Sequence, residues 1–328
     1  MTTLPTFHAR STADEVVEAF ASDIKSKNVL VTGTSLNGIG FETARAIAKY
    51  ANLVVITGYN EERLQLSKDA ILKIHPAANV RTLLLDLSSF AAVRKAAAEV
   101  NAYPETLHVL INNAMPTSGV YSLTEDNIEI QMAGGHIGPF LFTNLLLPKM
   151  LAADPSISGS LPRVVFVSSI GHRQHNGVPI DYKDEFLRGK PGLTPLVRYG
   201  QVKSANVLTA RQLARRGRGR LEAFSLHPGG IWTNVFDGGL YPELKAVGLV
   251  NDDGSRNEDF PGGWKTLSQG AATTLIAAFD PRISEHSGAY LDDSVVAEDK
   301  CAPHSADMTR ARKLWELTED VIGEKFEW

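Results

Sequence analysis

The chain has 328 residues and a formal net charge of −4, so it carries no basic excess for a nucleic-acid partner. Hydrophobic residues make up 43% and charged residues 21%, enough apolar surface for a globular core that stands without staples. Cys301 is the only cysteine, which excludes an intramolecular disulfide and a cysteine-built zinc site and fits a reducing compartment.

The first twenty residues show neither the apolar core of a signal peptide nor the arginine-rich pattern of a transit peptide, so a cytoplasmic location is expected. No run of about 18 apolar residues occurs, and no membrane span is expected. Residues 11–22 read as a lead helix capped by Ser11 or Thr12. NVLVTG (28–33) is a short apolar run ending in Thr-Gly, the pattern of a buried strand. Helical spacing follows over 41–51, a strand over 52–58, a helix over 61–75 and a strand over 80–88. A helix over 90–100 and a strand over 107–114 continue the alternation. Then come a helix over roughly 125–150, a strand over 163–169, a helix over 198–215 and a strand over 221–229. A helix near 268–279, a strand over 288–293 and a helix over 307–323 close the chain.

Strand and helix alternate throughout, and the strands are continuous apolar runs. That is the signature of a parallel sheet buried on both faces: an α/β, doubly wound (Rossmann) fold of about seven strands, in one domain over 1–328. Residues 170–197 and 232–266 are the longest irregular stretches. Both follow C-terminal ends of strands, where open α/β sheets bind ligands. The arginine-dense stretch Arg215, Arg216, Arg218 and Arg220 reads as a solvated helix-to-strand loop, with a cofactor or polyanion role as the alternative.

Gly33, Gly38 and Gly40 lie between the first strand and the next helix. Glycines there let the backbone approach a pyrophosphate, which the helix N-terminus receives with free N–H groups and its positive dipole end. A tight turn without ligand has the same pattern, and the strand–loop–helix context favours a dinucleotide. The loop candidates are Gly33, Thr34, Asn37, Gly38, Ile39 and Gly40. After the second strand, Tyr59 and Asn60, with Arg63 further on, face the expected adenosine ribose. No acid stands there to repel a 2′-phosphate, which favours NADP, with NAD as the alternative. Asp86, followed by Leu87, ends the third strand and suits the adenine amine; its other role would be capping the next helix.

Tyr199 and Lys203 are four residues apart on an expected helix and share a face. An ammonium beside a phenol favours the phenolate, so the tyrosine is expected to exchange a proton with a substrate oxygen near neutral pH. Lys203 would also hold the nicotinamide ribose, and Ser169, at a strand end, would orient the same substrate oxygen.

Together VTG…GIG (31–40), LDLS (85–88), INNA (111–114), VVFVSS (164–169), YGQVK (199–203) and HPGG (227–230) resemble the short-chain dehydrogenases/reductases, in that family's order. GPFLFTNLLLP (138–148), QGAATT (269–274) and KLWELTEDVIG (313–323) resemble its retinol-dehydrogenase-like and WW-domain-oxidoreductase-like branch. The resemblance covers about residues 12–325. It implies a seven-stranded parallel sheet and a carbonyl–alcohol reaction with hydride transfer. By it Tyr199 is the general acid/base, Lys203 its partner and ribose anchor, and Ser169 the substrate-oxygen donor. Asn113 and Ala114 would line the adenine-ribose side. Pro228, Gly229, Ile231 and Thr233 would contact the carboxamide and diphosphate. Members of this family dimerise or form tetramers through helices flanking the sheet, so a homo-oligomer is one expectation, although longer-loop members are monomers.

Two departures stand out. The glycine loop has four residues, Thr34 to Asn37, between its first two glycines, one more than the family's three. Gly135 stands where the family's catalytic Asn would be. Gly134 and Gly135 should weaken their helix by roughly 1 kcal/mol each. Pro139, four residues on, has no N–H for the Gly135 carbonyl, which leaves that carbonyl for a relay water.

The two long loops carry Val178, Ile180, Tyr182, Phe186 and Leu187, then Trp232, Val235, Phe236, Leu240, Tyr241, Leu244 and Trp264. Such walls suit a small apolar ketone, aldehyde or alcohol, although many would be ordinary packing residues. Met115 is expected to narrow the site near the nicotinamide. His136, His172 and His175 have no acidic partner at ligand spacing, so no metal is expected. The leading reading is an NADP(H)-dependent oxidoreductase. The alternatives are a cofactor-binding protein acting through protein interaction with little turnover, and a lyase or isomerase on the same fold.

Overall fold

The computed structural model describes residues 4–116, 120–237, 241–260 and 262–328. Ten strands form: β1 (Asn28–Val31), β2 (Leu53–Gly58), β3 (Val80–Leu84), β4 (Val109–Asn112) and β5 (Arg163–Val167), then β6 (Glu222–His227), β7 (Gly230–Ile231), β8 (Trp264–Lys265), β9 (Tyr290–Asp292) and β10 (Val295–Val296). Eight make one sheet in the order β10-β9-β6-β5-β4-β1-β2-β3. Seven of them are parallel, as expected, and β10 adds a short antiparallel edge beyond β9. β7 and β8 pair separately, outside this sheet.

The apolar strand runs divide between two cores. Val29, Val31, Ile56, Ile111 and Val165 point to one face, where the helices Ile39–Ala48, Glu61–Ile74 and Leu267–Phe279 and the lead helix Ala13–Ala19 pack. Leu30, Val55, Leu110, Val164 and Phe166 point to the other, under Phe90–Ala102, Gly138–Leu151 and Pro195–Arg216. Burying each such side chain contributes roughly 1.5–3 kcal/mol. Phe140 lies edge-on to Trp315 of the closing helix Met308–Ile322, with ring centroids 4.6 Å apart.

Local signals set the helix starts. Thr12 and Glu15 form a capping box, Thr266 and Gln269 a second one, and Asn60 and Ser89 cap the helices that follow β2 and β3. Helix 125–150 differs from expectation. It starts at Ile130, passes through a π-helical turn over Ala133–Ile137, and continues as Gly138–Leu151. The Gly138 N–H reaches the Ala133 carbonyl, and Pro139 offers no donor to continue α-helical bonding there.

Arg215, Arg216, Arg218 and Arg220 are all exposed at the end of helix Pro195–Arg216 and in the turn after it, as expected of a solvated helix-to-strand connection, and two of them also reach the last residues of the chain. Arg220 donates to the Trp328 carbonyl at 2.7 Å, and Arg216 donates to the Phe326 carbonyl with its guanidinium 4.8 Å from the Trp315 ring centre. The aromatic faces and the tail carbonyls hold these two cations. Among the described residues no helix is long and apolar enough to cross a membrane.

Candidate active site

The strand order reverses between β1 and β4, and the loops leaving these two strands meet there. Gly33 has φ 70°, and a Cβ on it would stand 2.7 Å from Ala114 Cα. At Gly40 a Cβ would stand 2.3 Å from Asn113 Nδ2 and 2.4 Å from the Gly33 carbonyl oxygen. Only glycine permits these approaches. Asn113 holds the loop, donating from Nδ2 to the Thr32 carbonyl at 2.9 Å and the Gly33 carbonyl at 3.0 Å. Thr32 Oγ1 in turn accepts from the Asn113 and Ala114 N–H groups. Gly38 starts the helix with no side-chain cap, so no capping side chain takes the first-turn N–H groups that follow the loop. This glycine-walled cradle with free donors fits a dinucleotide diphosphate.

Two expected contacts resolve differently. Thr34 is fully buried, and both its N–H and its hydroxyl donate to the Thr57 carbonyl. Its side chain therefore braces the loop against the end of β2. Asn37, at φ 61°, absorbs the tight turn instead. Asp86 accepts from the Ser88 N–H at 2.9 Å and the Ser88 hydroxyl at 2.6 Å, so one carboxylate oxygen holds the turn. Leu87 is buried, and its carbonyl oxygen lies against Gly138.

At the end of β2, a shallow surface recess is lined by Ser35, Thr57, Gly58, Tyr59, Asn60, Arg63 and Leu64. Asn60 caps the next helix by accepting from the Arg63 N–H. No carboxylate lines the recess. On the opposite rim, Pro228 and Gly229 connect β6 to β7, and Gly229 has φ 101° with the Lys265 chain beneath it. Ile231 packs on Gly270. Just past Thr233, Asn234 donates to the Leu36 carbonyl at 2.8 Å, tying this segment to the glycine loop. Neither Lys265 nor Asn234 stood out in the sequence.

Ser169, Tyr199 and Lys203 come together at the end of β5. The Tyr199 ring and the Ser169 hydroxyl both border Gly171: a Cβ there would stand 3.2 Å from Tyr199 Cε1 and 3.6 Å from Ser169 Oγ. Lys203 Nζ lies 5.4 Å from the Tyr199 ring centre and donates to the Val167 carbonyl at 2.8 Å. The Ser168 hydroxyl donates to the Lys203 carbonyl at 2.7 Å, pinning strand to helix. Close approach is allowed by Gly171 and Gly200, since a Cβ on Gly200 would stand 2.8 Å from the Gly171 carbonyl oxygen. The expected acidification of the phenol by the ammonium is not the dominant effect. Burial pushes the Tyr199 phenol up, with the Ser169 hydrogen bond pulling against it, and burial pushes Lys203 down to about 7.

Helix Pro195–Arg216 is set at its start by Thr194, which caps Val197, and by a buried ion pair from Arg198 to Glu129 at 2.8 Å. Glu129 also accepts from the Gln131 and Met132 N–H groups, so this pair joins the tyrosine helix to the segment leading into the π-turn. Within that turn, a Cβ on Gly135 would stand 2.6 Å from Met115 Sδ and 2.7 Å from Val202 Cγ1. Met115 and Val202 therefore fill the space beside Gly135 that the family's Asn side chain was expected to occupy.

The expected substrate walls divide. Val178, Ile180 and Phe186 are buried in a core cluster with Val202 and Leu314, so they are packing residues. Leu187 packs against that cluster, while Tyr182 is exposed. Trp232 stacks on Phe236 at 4.3 Å with Trp264 edge-on, and Leu244 is buried against Val250. Leu240 lies outside the described residues, as do the side chains of Val235 and Tyr241. His136 is buried and hydrogen-bonds Thr318, and His175 sits at φ 55° in a turn. A groove of about 130 Å³ near the start of the tyrosine helix is lined by Val120, Tyr121, Leu193 and Pro195 with Arg188 and Lys190, among others; Tyr199 is not in its wall.

The family described as short chain dehydrogenase matches residues 27–183. Over 96% of its length the chain is 35% identical to "Short-chain dehydrogenase TIC 32 A, chloroplastic" of Brassica napus, covering 94% of that protein. It is 31% identical to human retinol dehydrogenase 11, over 92% of this chain and 87% of that one. It is also 31% identical to the WW domain-containing oxidoreductase of Danio rerio, over 92% of this chain and 70% of that one. Among solved structures, a protein of Mycobacterium paratuberculosis covers 94% of this chain and 98% of its own at TM-score 0.66 and 26% identity. A protein of Escherichia coli CFT073 complexed with NADPH shares the fold at TM-score 0.59 and 22% identity, over 83% of this chain and 99% of its own.

Proposed function

Because the chain belongs to the short-chain dehydrogenase/reductase family, in its retinol-dehydrogenase and WW-domain-oxidoreductase branch, we propose that it interconverts a small apolar carbonyl and its alcohol with NADP(H), using Tyr199 as general acid/base. The observation that carries this reading is the convergence of Ser169, Tyr199 and Lys203 at the end of β5, with Ser169 Oγ and the Tyr199 ring both against Gly171 and Lys203 Nζ 5.4 Å from the Tyr199 ring centre.

When bound, the nicotinamide gives or takes the hydride. The protein's own residues do the rest. The N–H groups at Ile39 and Gly40 and the glycine cradle hold the diphosphate. Arg63 makes no ion pair among the described residues and, with Tyr59 and Asn60, lines the recess proposed for the 2′-phosphate; this supports NADP over NAD. The backbone at Pro228, Gly229, Ile231 and Thr233 meets the carboxamide and diphosphate. Asn113 and Ala114 flank the adenosine ribose through their backbone, since the Asn113 amide is committed to the loop. In reduction Tyr199 gives its phenol proton to the carbonyl oxygen as the hydride arrives, and the Ser169 hydroxyl orients that oxygen. Lys203 is poised near 7, so ribose hydroxyls and a nearby phosphate charge favour its ammonium form, which in turn favours the phenolate that must be reprotonated. The Gly135 carbonyl is proposed to hold the water that reprotonates Lys203.

The test reads nicotinamide absorbance with phenanthrenequinone, an apolar carbonyl, and with NADPH and NADH separately. Tyr199→Phe should lower turnover by about 10²–10⁴-fold while NADPH still binds by fluorescence titration. One observation favours a second reading. Met115 and Val202 fill the space beside Gly135. A cofactor-binding protein that acts through a protein partner would bind NADPH and turn over no ketone or alcohol. The cytoplasmic location stays a proposal, and the chloroplastic names of the Brassica relatives make fractionation of the host cell its check.

A further inference from the structure

Ser169 ends in an unusually well-determined position. Its Oγ accepts from the Gly171 N–H at 3.1 Å, which opens the short 3₁₀ turn Ile170–Arg173. This fixes the oxygen beside Gly171, which the Tyr199 ring also borders, and leaves its proton to donate. Its carbonyl accepts twice from one residue: the His172 N–H at 3.1 Å and His172 Nδ1 at 2.7 Å.

The other end of the imidazole fixes its tautomer. The Ala302 N–H donates to His172 Nε2 at 3.1 Å, so Nε2 must be the acceptor and Nδ1 must carry the hydrogen. The ring is fully buried and lies 4.7 Å from the Tyr290 ring. Burial pushes its basicity down to about 4, so at neutral pH it stays in this neutral form. The Ala302 segment is itself anchored nearby. His304 Nε2 meets the His172 carbonyl at 2.9 Å, and the Ser305 hydroxyl meets the Ser204 hydroxyl, one residue past Lys203, at 2.9 Å.

We propose that His172 is a positioning residue that holds the Ser169 hydroxyl in place beside Tyr199, with its Nδ1–H on the Ser169 carbonyl and its Nε2 braced by the Ala302 N–H. The inference rests on the proposed oxidoreductase reading, because it acts through Ser169. Imidazole suits the place because it presents a donor and an acceptor across one rigid ring. Asparagine offers a donor where Nδ1 stands and reaches less far. Glutamine reaches toward Ala302 and offers its acceptor there, without a donor for Ser169.

The experiment makes His172→Ala, His172→Asn and His172→Gln, each in the native and in the Ser169→Ala background. Turnover of phenanthrenequinone with NADPH, NADPH binding by fluorescence, and thermal midpoints are measured for all. The expected result is a fall in kcat of about tenfold for His172→Ala, with NADPH binding kept and no further fall in the Ser169→Ala background. His172→Asn should retain more turnover than His172→Gln, even where Gln melts higher. The proposal is overturned if His172→Ala costs as much without the serine hydroxyl as with it, or if turnover follows melting temperature across the three variants. If Ser169→Ala itself changes nothing, or the native protein reduces no probe, the oxidoreductase reading fails and this inference falls with it.

Discussion

Gly135→Ala tests whether packing, and not helix strength, selects the glycine in the π-turn. The added Cβ would stand 2.6 Å from Met115 Sδ and 2.7 Å from Val202 Cγ1, against an ordinary carbon contact of about 3.5–4.0 Å. Each neighbour must therefore give by about 1 Å. The Met115 thioether can swing aside. Val202 cannot: it is β-branched, sits in the helix Pro195–Arg216 and is fully buried. Overpacking of this kind costs about 1–3 kcal/mol, while replacing glycine by alanine in a helix returns about 1 kcal/mol. The expected net is a destabilisation on the order of 1 kcal/mol. Val202→Ala, which opens a cavity, should cost about 2 kcal/mol alone. The double variant should be less destabilised than the sum by at least about 1 kcal/mol, because the new methyl enters the vacated space. Urea unfolding followed by tryptophan fluorescence, with the slope checked for constancy, measures all three. A Gly135→Ala chain that gains stability, or strict additivity of the pair, would refute the packing argument.

Two further outcomes follow from buried charge. His136 and His172 are fully enclosed, and burial holds them down to about 3 and about 4. Their unfolded forms take up protons below about pH 6.5, while the folded forms do not until well below that. Stability is therefore whole above 6.5 and falls as the pH drops toward 4, by up to about 3 kcal/mol for each ring. Urea midpoints that stay level from pH 6.5 to 4 would contradict this. Arg198→Met strands the buried Glu129 carboxylate and should destabilise by about 3–5 kcal/mol, whereas adding Glu129→Gln should recover much of the loss. Thermal melts of the two variants decide it, and an equal loss in both would count against a charge effect.

Local pattern carried most of the fold. Continuous apolar runs such as 28–31 and 163–167 mark strands buried on both sides, and the two cores show why: neighbouring residues feed opposite faces. The four-residue spacing of Tyr199 and Lys203 was readable because a helix makes it a shared face. What escaped the sequence was pairing across distance. Ala302 meets His172 from 130 residues away, Arg198 meets Glu129 across 69, and Arg216 meets Phe326 across 110. No periodicity encodes such partners. Electrostatics also escaped. Spacing put an ammonium beside a phenol, yet it could not show that both would be sealed from water strongly enough for desolvation to govern them. The inward turn of Thr34 onto the Thr57 carbonyl also left no mark in the sequence.

The register of the sheet sets an order of assembly. Asn28 meets Leu53, and Val54 meets Val80, so the β1-β2-β3 half closes short loops. In the other half Val109 meets Arg163, Arg163 meets Glu222 and Ser225 meets Tyr290, spans roughly twice as long that add about 0.6 kcal/mol of closure entropy each. A refolding chain therefore pairs β1, β2 and β3 with less search than the strands that carry its proton chemistry, while the glycine loop gains its Asn113 brace only when β4 joins β1 across the longest of these spans. Pulse-labelled amide exchange should show protection at Val29 and Val55 before Val165 and Leu226, and the reverse order would mean that the long-range half nucleates folding.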